Sequence, residues 1–159
     1  MAKVLIIYYS RSGNTGKMAL EVQKGAGEVK GVTVTVKKVA DATPDDMLAA
    51  DGIIIGSPVY YGTMAAEVKV LIDESVKFHG KLDGKVGGAF ATAGGPHGGG
   101  ETTVIDIGRA LLVHGMIWKG DYSGDHYGPV AEGAPDARAK KECRKLGRSV
   151  AELAKKLFG

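Results

Sequence analysis

The chain has 159 residues, 44% hydrophobic and 25% charged, with a formal net charge of +3; this suits one domain, residues 1–159, able to bury about 70% of the surface its unfolded form exposes. One cysteine, Cys143, excludes an internal disulfide and a thiolate metal site, no apolar run reaches the ~18 residues of a membrane span, and the missing basic-then-apolar leader predicts a cytoplasmic protein. The positive charge is local: from Asp136 onward eight lysines and arginines stand against three acids, so that segment carries +5 and the rest −2.

Val4 to Tyr9 is an unbroken β-branched, aliphatic and aromatic run, as expected of a strand buried on both faces of a parallel sheet. It stops at Ser10-Arg11-Ser12-Gly13-Asn14-Thr15, and from Gly16 the apolar spacing becomes helical, with Met18, Ala19 and Val22 on one side. A helix N-terminus after a strand leaves backbone N–H groups free at the positive end of the helix dipole, which favours an anion. Ser10, Ser12 and Thr15 could add hydroxyl donors to a phosphate; equally, these residues could only cap the helix and form the turn. The spacing fits neither the dinucleotide G-x-G-x-x-G pattern nor a P-loop, because Gly16-Lys17 follows Gly13 too soon and Met18 stands where Ser or Thr is needed.

Val32, Val34 and Val36 alternate with polar residues and predict a second strand near a sheet edge. Thr43-Pro44-Asp45-Asp46 is a helix start, with a cap, a proline in the first turn and two acids. Ile53 to Ile55 predict a buried third strand ending at Gly56-Ser57-Pro58, followed by a second loop, SPVYYGTM. A helix is expected from Ala65 to about Phe78, then a small-residue strand from Val86 to Thr92. Next comes AGGPHGGGE, Ala93 to Glu101, too rich in Gly and Pro for regular structure. A helix from Glu101 to His114 stops at Gly115, Met116 to Trp118 form a fifth strand, and a polar loop spans Asp121 to Pro135. The last helix lines Cys143, Leu146, Val150, Leu153 and Leu157 along one stripe; its charges read as a solvated face, not a nucleic-acid surface, since no interleaved aromatics accompany them.

Five β-α repeats predict an α/β fold, a doubly wound five-stranded parallel sheet, whose ligands bind beyond the carboxyl ends of the strands. The three unusual loops follow strands one, three and four, at that edge. A phosphate cradle, the flat faces of Tyr60 and Tyr61, and a backbone-lined edge together describe a site for a phosphorylated flat heterocycle, which FMN fits better than a bare phosphate ester.

As a set, YYSRSGNT, GSPVYYGTM, FATAGGPHGGGETT, HGM and HYGPV resemble the flavodoxin-like superfamily and, within it, the type IV NAD(P)H:quinone oxidoreductases, also called tryptophan-repressor-binding-type flavoproteins. The resemblance implies strand order 2-1-3-4-5, noncovalent FMN, two-electron transfer from NAD(P)H to a quinone or other small acceptor, and a homodimer or homotetramer; the other activity it implies is a flavodoxin carrying electrons between redox protein partners. Ser10, Arg11, Ser12, Gly13, Asn14 and Thr15 match the phosphate and ribityl loop. Pro58, Val59, Tyr60, Tyr61 and Gly62 match the stretch beside the flavin ring, and Thr92, Ala93, Gly94, Gly95, His97 and Gly98 the ring-edge loop. His114 matches a family histidine near a neighbouring subunit's flavin, a candidate catalytic residue; its other reading is a helix C-terminal cation. His97 and His126 lie in loops at the site edge. The chain departs from the family in a shorter segment between Val39 and Pro44, in Phe78-His79 where the family has a tryptophan, and in a third loop lengthened by Pro96 and His97.

Overall fold

The computed structural model describes all 159 residues. Its core is a parallel sheet in the order β2-β1-β3-β5-β6, where β1 is Ala2–Tyr8, β2 Val32–Lys38, β3 Gly52–Tyr60, β5 Val86–Ala93 and β6 Ile117–Trp118. Two further strands join it: β4, Thr63–Met64, turns back antiparallel on β3, and β7, Val130–Glu132, pairs with the far half of β5.

The sheet therefore has seven strands rather than the five expected, for two physical reasons. First, β3 does not end at Gly56-Ser57-Pro58 but runs on to Tyr60, because Tyr61 and Gly62 both have positive φ (50° and 79°) and close a two-residue hairpin of the kind whose twist matches its strands. Second, the outermost position is divided. Ile117 and Trp118 pair with Val86 and Gly87 at the amino end of β5, whereas Val130 to Glu132, inside the segment expected as a loop, pair with Ala91 to Ala93. A two-residue strand lacks the length to carry the edge, so the returning chain completes it.

Helices cover both faces. α1 (Asn14–Gly27) and α5 (Ala137–Phe158) pack on one side with Val4, Ile6, Ile54 and Phe90; α2 (Pro44–Ala49), α3 (Ala66–Glu74) and α4 (Gly100–Val113) pack on the other with Leu5, Ile7, Ile53 and Ile55. Alternate residues of each central strand thus feed opposite cores, which is why those strands read as continuous apolar runs. Helix α2 starts as its sequence says. The Thr43 hydroxyl accepts from the Asp46 N–H at 3.3 Å and the Asp46 carboxylate accepts from the Thr43 N–H at 2.8 Å, a reciprocal cap. The helix expected from Ala65 to Phe78 tightens after Glu74 into a 3-10 turn, Ser75–Phe78.

α1 and α5 touch backbone to backbone. A Cβ at Gly25 would lie 1.9 Å from the Arg144 carbonyl oxygen and one at Gly147 2.0 Å from that of Val22, so only glycine permits this approach. Part of the basic face of α5 serves the same contact. Arg144 donates to Glu21 at 2.5 Å, and Arg148 pairs with Glu28. Burial works to raise the Glu21 pKa, but Lys24 and Arg144 hold the carboxyl below its ordinary value. No helix is long and apolar enough to cross a membrane.

Candidate functional site

Because β1, β3 and β5 are neighbours in the sheet, the segments that follow them meet at its carboxyl edge. β1 is also where the chain reverses direction across the sheet, and this is the crevice in which open α/β sheets hold ligands.

The first segment, Tyr9 to Gly13, ends in the N-terminus of α1. Gly13 takes φ 96° at the cap position and supplies no side-chain cap, and the first hydrogen bond of the helix runs from the Lys17 N–H to the Gly13 carbonyl at 3.0 Å. The N–H groups of Asn14, Thr15 and Gly16 are therefore free of helical partners. The Ser10 hydroxyl oxygen accepts from the Gly13 N–H at 3.0 Å, which folds the loop over and leaves the hydroxyl proton available to an anion. Arg11, Ser12 and Gly13 are exposed, Ser10 and Asn14 half-buried, and Thr15 buried. The structure thus supplies donors at the place where the sequence offered either a cap or a phosphate cradle, and it uses none of the hydroxyls as the helix cap.

In the second segment Pro58, Val59 and Tyr60 belong to β3, and Tyr61 and Gly62 form its hairpin tip. Tyr60 meets Tyr9 edge to face, ring centroids 6.3 Å apart at 77°. Partial desolvation, the Glu67 carboxylate and Tyr60 push the Tyr9 hydroxyl pKa up, so it stays protonated at neutral pH. Tyr61 is fully exposed. The hairpin is held by hydroxyls that the sequence reading did not single out. The Ala65 N–H donates to Ser57 Oγ at 2.8 Å, Thr102 Oγ1 donates to the Gly62 carbonyl at 3.0 Å, and Thr63 Oγ1 donates to Asp106 at 2.8 Å.

The third segment leaves β5 after Ala93. Thr92 and Ala93 are buried, whereas Gly94, Pro96, His97 and Gly98 are exposed. His97 takes φ 57°, and Gly99, at φ 98°, packs so close that a Cβ there would lie 2.9 Å from the Gly62 Cα. Gly94 and Gly95 have open space where a Cβ would be, so a ligand edge can reach their backbone. This loop is tied to the first one: Thr15 Oγ1 and Thr92 Oγ1 are 2.8 Å apart and buried. It is tied also to β7 by the Gly133 N–H donating to the Ala93 carbonyl at 2.8 Å.

Two hollows flank these segments. A cleft of about 870 Å³ lies between the third loop and the chain from Gly124 to Arg138, lined by His97, Glu101, His126, Tyr127 and Glu132 among others. Its far wall is held by Arg138, which donates to both oxygens of Asp125 (2.7 and 2.8 Å) and to the Val130 carbonyl at 2.6 Å. Asp125 and Arg138 stand 13 positions apart in sequence, and only the Asp136 cap before α5 marks the spot. A groove of about 830 Å³ opens beside Tyr9, Arg11, Tyr60 and Glu67.

His114 is elsewhere. α4 runs antiparallel to β5, so its last turn sits at the amino edge, near Val86, about 23 Å along the strand from Ala93. There His114 is buried, with Nε2 2.8 Å from Ser75 Oγ, and Ser75 donates its own proton to the Ile72 carbonyl at 2.6 Å. Nε2 therefore carries the ring proton and Nδ1 is buried without a partner. Burial, then the nearby His79, hold the His114 pKa below its ordinary value. The other loop candidate, His126, is exposed, with Nδ1 2.7 Å from the Asp121 carbonyl. Cys143 is a buried core residue whose thiol pKa is pushed up to about 12 by burial.

The family profile described as NADPH-dependent FMN reductase matches residues 2–118. A protein of Aquifex aeolicus named flavodoxin is 41% identical over 160 residues, spanning 96% of this chain and 86% of the relative. An NAD(P)H dehydrogenase (quinone) of Archaeoglobus fulgidus is 33% identical over 191 residues, spanning 99% of this chain and 100% of the relative. Among solved structures, a flavodoxin, WrbA-like protein from Agrobacterium tumefaciens matches with a TM-score of 0.83 at 27% identity, over 98% of this chain and 99% of that one.

Proposed function

Because this chain belongs to the NADPH-dependent FMN reductase family, we propose that it binds FMN noncovalently at the carboxyl edge of its sheet and is an oxidoreductase passing two electrons from NAD(P)H to a quinone or similar small acceptor. The observation that carries this is the uncapped N-terminus of α1 standing beside a loop whose Gly94 and Gly95 leave backbone open, the two joined by the Thr15–Thr92 hydrogen bond.

The residues present fit the group. The N–H groups of Asn14, Thr15 and Gly16, free at the helix N-terminus, and the Ser10 hydroxyl, whose oxygen accepts from Gly13 and whose proton is uncommitted, would serve a phosphate monoester there, with the helix dipole favouring its charge. Tyr60 and Tyr61 offer flat surfaces, and the bare backbone of Gly94 and Gly95 offers hydrogen-bonding groups to a heterocycle edge. Bound FMN supplies the redox chemistry. The protein's part is to bind, to orient and to limit solvent access. The hydroxyl ties from Ser57, Thr63 and Thr102 fix the hairpin that carries Tyr60 and Tyr61, and the Tyr9–Tyr60 contact sets the ring beside it. His114 lies too far from these loops to reach a ligand bound by its own chain, so any part it has at a flavin requires a second copy of the chain; within one chain it joins α4 to the turn after α3. We propose also that it is a homodimer or homotetramer, which rests on the resemblance of its motifs alone.

The test is anaerobic mixing with NADPH or NADH and then benzoquinone. Rapid loss of the flavin absorbance followed by its return on adding quinone is the expected result; a bound flavin that neither nicotinamide bleaches quickly refutes the enzyme. The flavodoxin-named relative favours a second reading, a carrier of single electrons between proteins. Such a carrier would be reduced quickly only with a partner reductase added, which separates the two.

A further inference from the structure

We infer that Thr92, buried in β5 and matched by sequence to the ring-edge loop, acts on the phosphate end of the cofactor through Thr15 rather than by contact with the ring. The inference rests on the FMN-binding reading above. Thr92 retains 7% of its exposure and Thr15 2%, and their hydroxyl oxygens lie 2.8 Å apart. Each hydroxyl has a single proton, so one proton lies in the shared bond and the other is free. Neither hydroxyl has another hydrogen-bond partner within the chain.

An anion at the N-terminus of α1 decides between the two arrangements. Thr15 is the second residue of that helix, and its N–H is among the free donors there. With a phosphate bound, the favoured arrangement has the Thr92 hydroxyl donating to Thr15 Oγ1 and the Thr15 hydroxyl donating outward to a phosphate oxygen, two bonds in series with a charged terminus. Without Thr92, Thr15 Oγ1 is left a buried acceptor with no donor and its rotamer loses the partner that fixes it. Thr92 is therefore a positioning residue for phosphate recognition. It also gives the third loop a reason to be set before the ring arrives, because the same side chain stands one residue from the end of β5.

The ligand pair that isolates the effect is FMN and riboflavin, which share the ring and differ in the phosphate. Equilibrium titration by quenching of flavin fluorescence with the apoprotein measures both. Thr92→Val keeps the shape and the strand preference of the side chain but removes the hydroxyl. It is expected to weaken FMN about tenfold, the size of effect that leaving the Thr15 oxygen a buried acceptor without a donor produces when its proton is committed to the phosphate, while riboflavin affinity changes less than about twofold, within the context scatter of a neutral site. Thr92→Ser, which retains the hydroxyl, is expected to keep the FMN-to-riboflavin ratio of the unaltered protein and controls for packing. Equal weakening of both flavins by Thr92→Val, or an unchanged ratio, overturns the inference and leaves FMN binding standing. Failure of the unaltered protein to bind FMN overturns the function proposed above and this inference with it.

Discussion

Gly25 lies where α1 and α5 meet, and substituting it tests whether that contact sets the position of the phosphate loop. An alanine Cβ at Gly25 would fall 1.9 Å from the Arg144 carbonyl oxygen and 2.6 Å from two more backbone atoms of Arg144, where ordinary contact begins at 3.4 Å. The helices would have to separate by about 1.5 Å, since backbone has no rotamer to yield. Overpacking of this kind costs about 1–3 kcal/mol, against roughly 1 kcal/mol gained by replacing Gly with Ala inside a helix. The clash wins because the opposing atoms are main chain, and separation also disturbs the Arg144–Glu21 ion pair. Gly25→Ala is therefore expected to lose up to about 2 kcal/mol net, or up to roughly 8 °C in Tm for a chain of this size. Gly27, two residues on in the same helix, has nothing within 4 Å of its would-be Cβ, so Gly27→Ala is expected to gain up to about 1 kcal/mol. Urea unfolding of both variants reads the stability, and FMN titration reads the site, because α1 carries the free N–H groups at its other end. Gly25→Ala as stable as Gly27→Ala would refute the backbone contact; a destabilised Gly25→Ala with undiminished FMN affinity would refute the link from the crossing to the loop.

Three further outcomes follow from the site and its surroundings. The folded-state pKa of His114 is lowered, so the unfolded chain binds the proton more readily and stability is full above the unfolded value near 6.5 and falls as pH drops below it; His114→Gln, which can still donate to Ser75, is expected to lose that dependence, and equal urea midpoint shifts from pH 8 to 5.5 in both proteins would refute it. Tyr61 holds a left-handed turn position with its side chain in solvent, so Tyr61→Asn is expected to raise stability by about 0.5–1 kcal/mol and to weaken FMN if the ring stacks there; unchanged stability would show the turn is unstrained. The Cys143 thiol, buried with its pKa pushed up to about 12, is expected to resist iodoacetamide at pH 8 in the folded protein and to react after unfolding, and prompt alkylation of the native protein would contradict its burial.

The sequence alone determined the parts whose signal is local. Ile53 to Ile55 and Val4 to Ile7 declare doubly buried strands because every side chain meets a core, on one face or the other. Thr43-Pro44-Asp45-Asp46 declares a helix start because its cap is made among residues three apart. The strand, bend and helix start around Ser10 to Thr15 were legible for the same reason, though whether the bend caps the helix or leaves its N–H groups to an anion was not. Tertiary structure decided whatever depends on residues far apart in the chain. Val130 to Glu132 become a strand only because Ala91 to Ala93 offer an unpaired edge beyond the two residues of β6. Gly25 near the end of α1 and Gly147 inside α5 look like weak points in their helices until Gly25 is seen against the backbone of Arg144 and Gly147 against that of Val22. Thr15 and Thr92, 77 positions apart, meet because β1, β3 and β5 lie side by side. His114 was matched by its motif to a neighbouring subunit's flavin; within its own chain α4 runs back along the sheet to start the next strand, and that return carries the residue to the edge opposite the three loops.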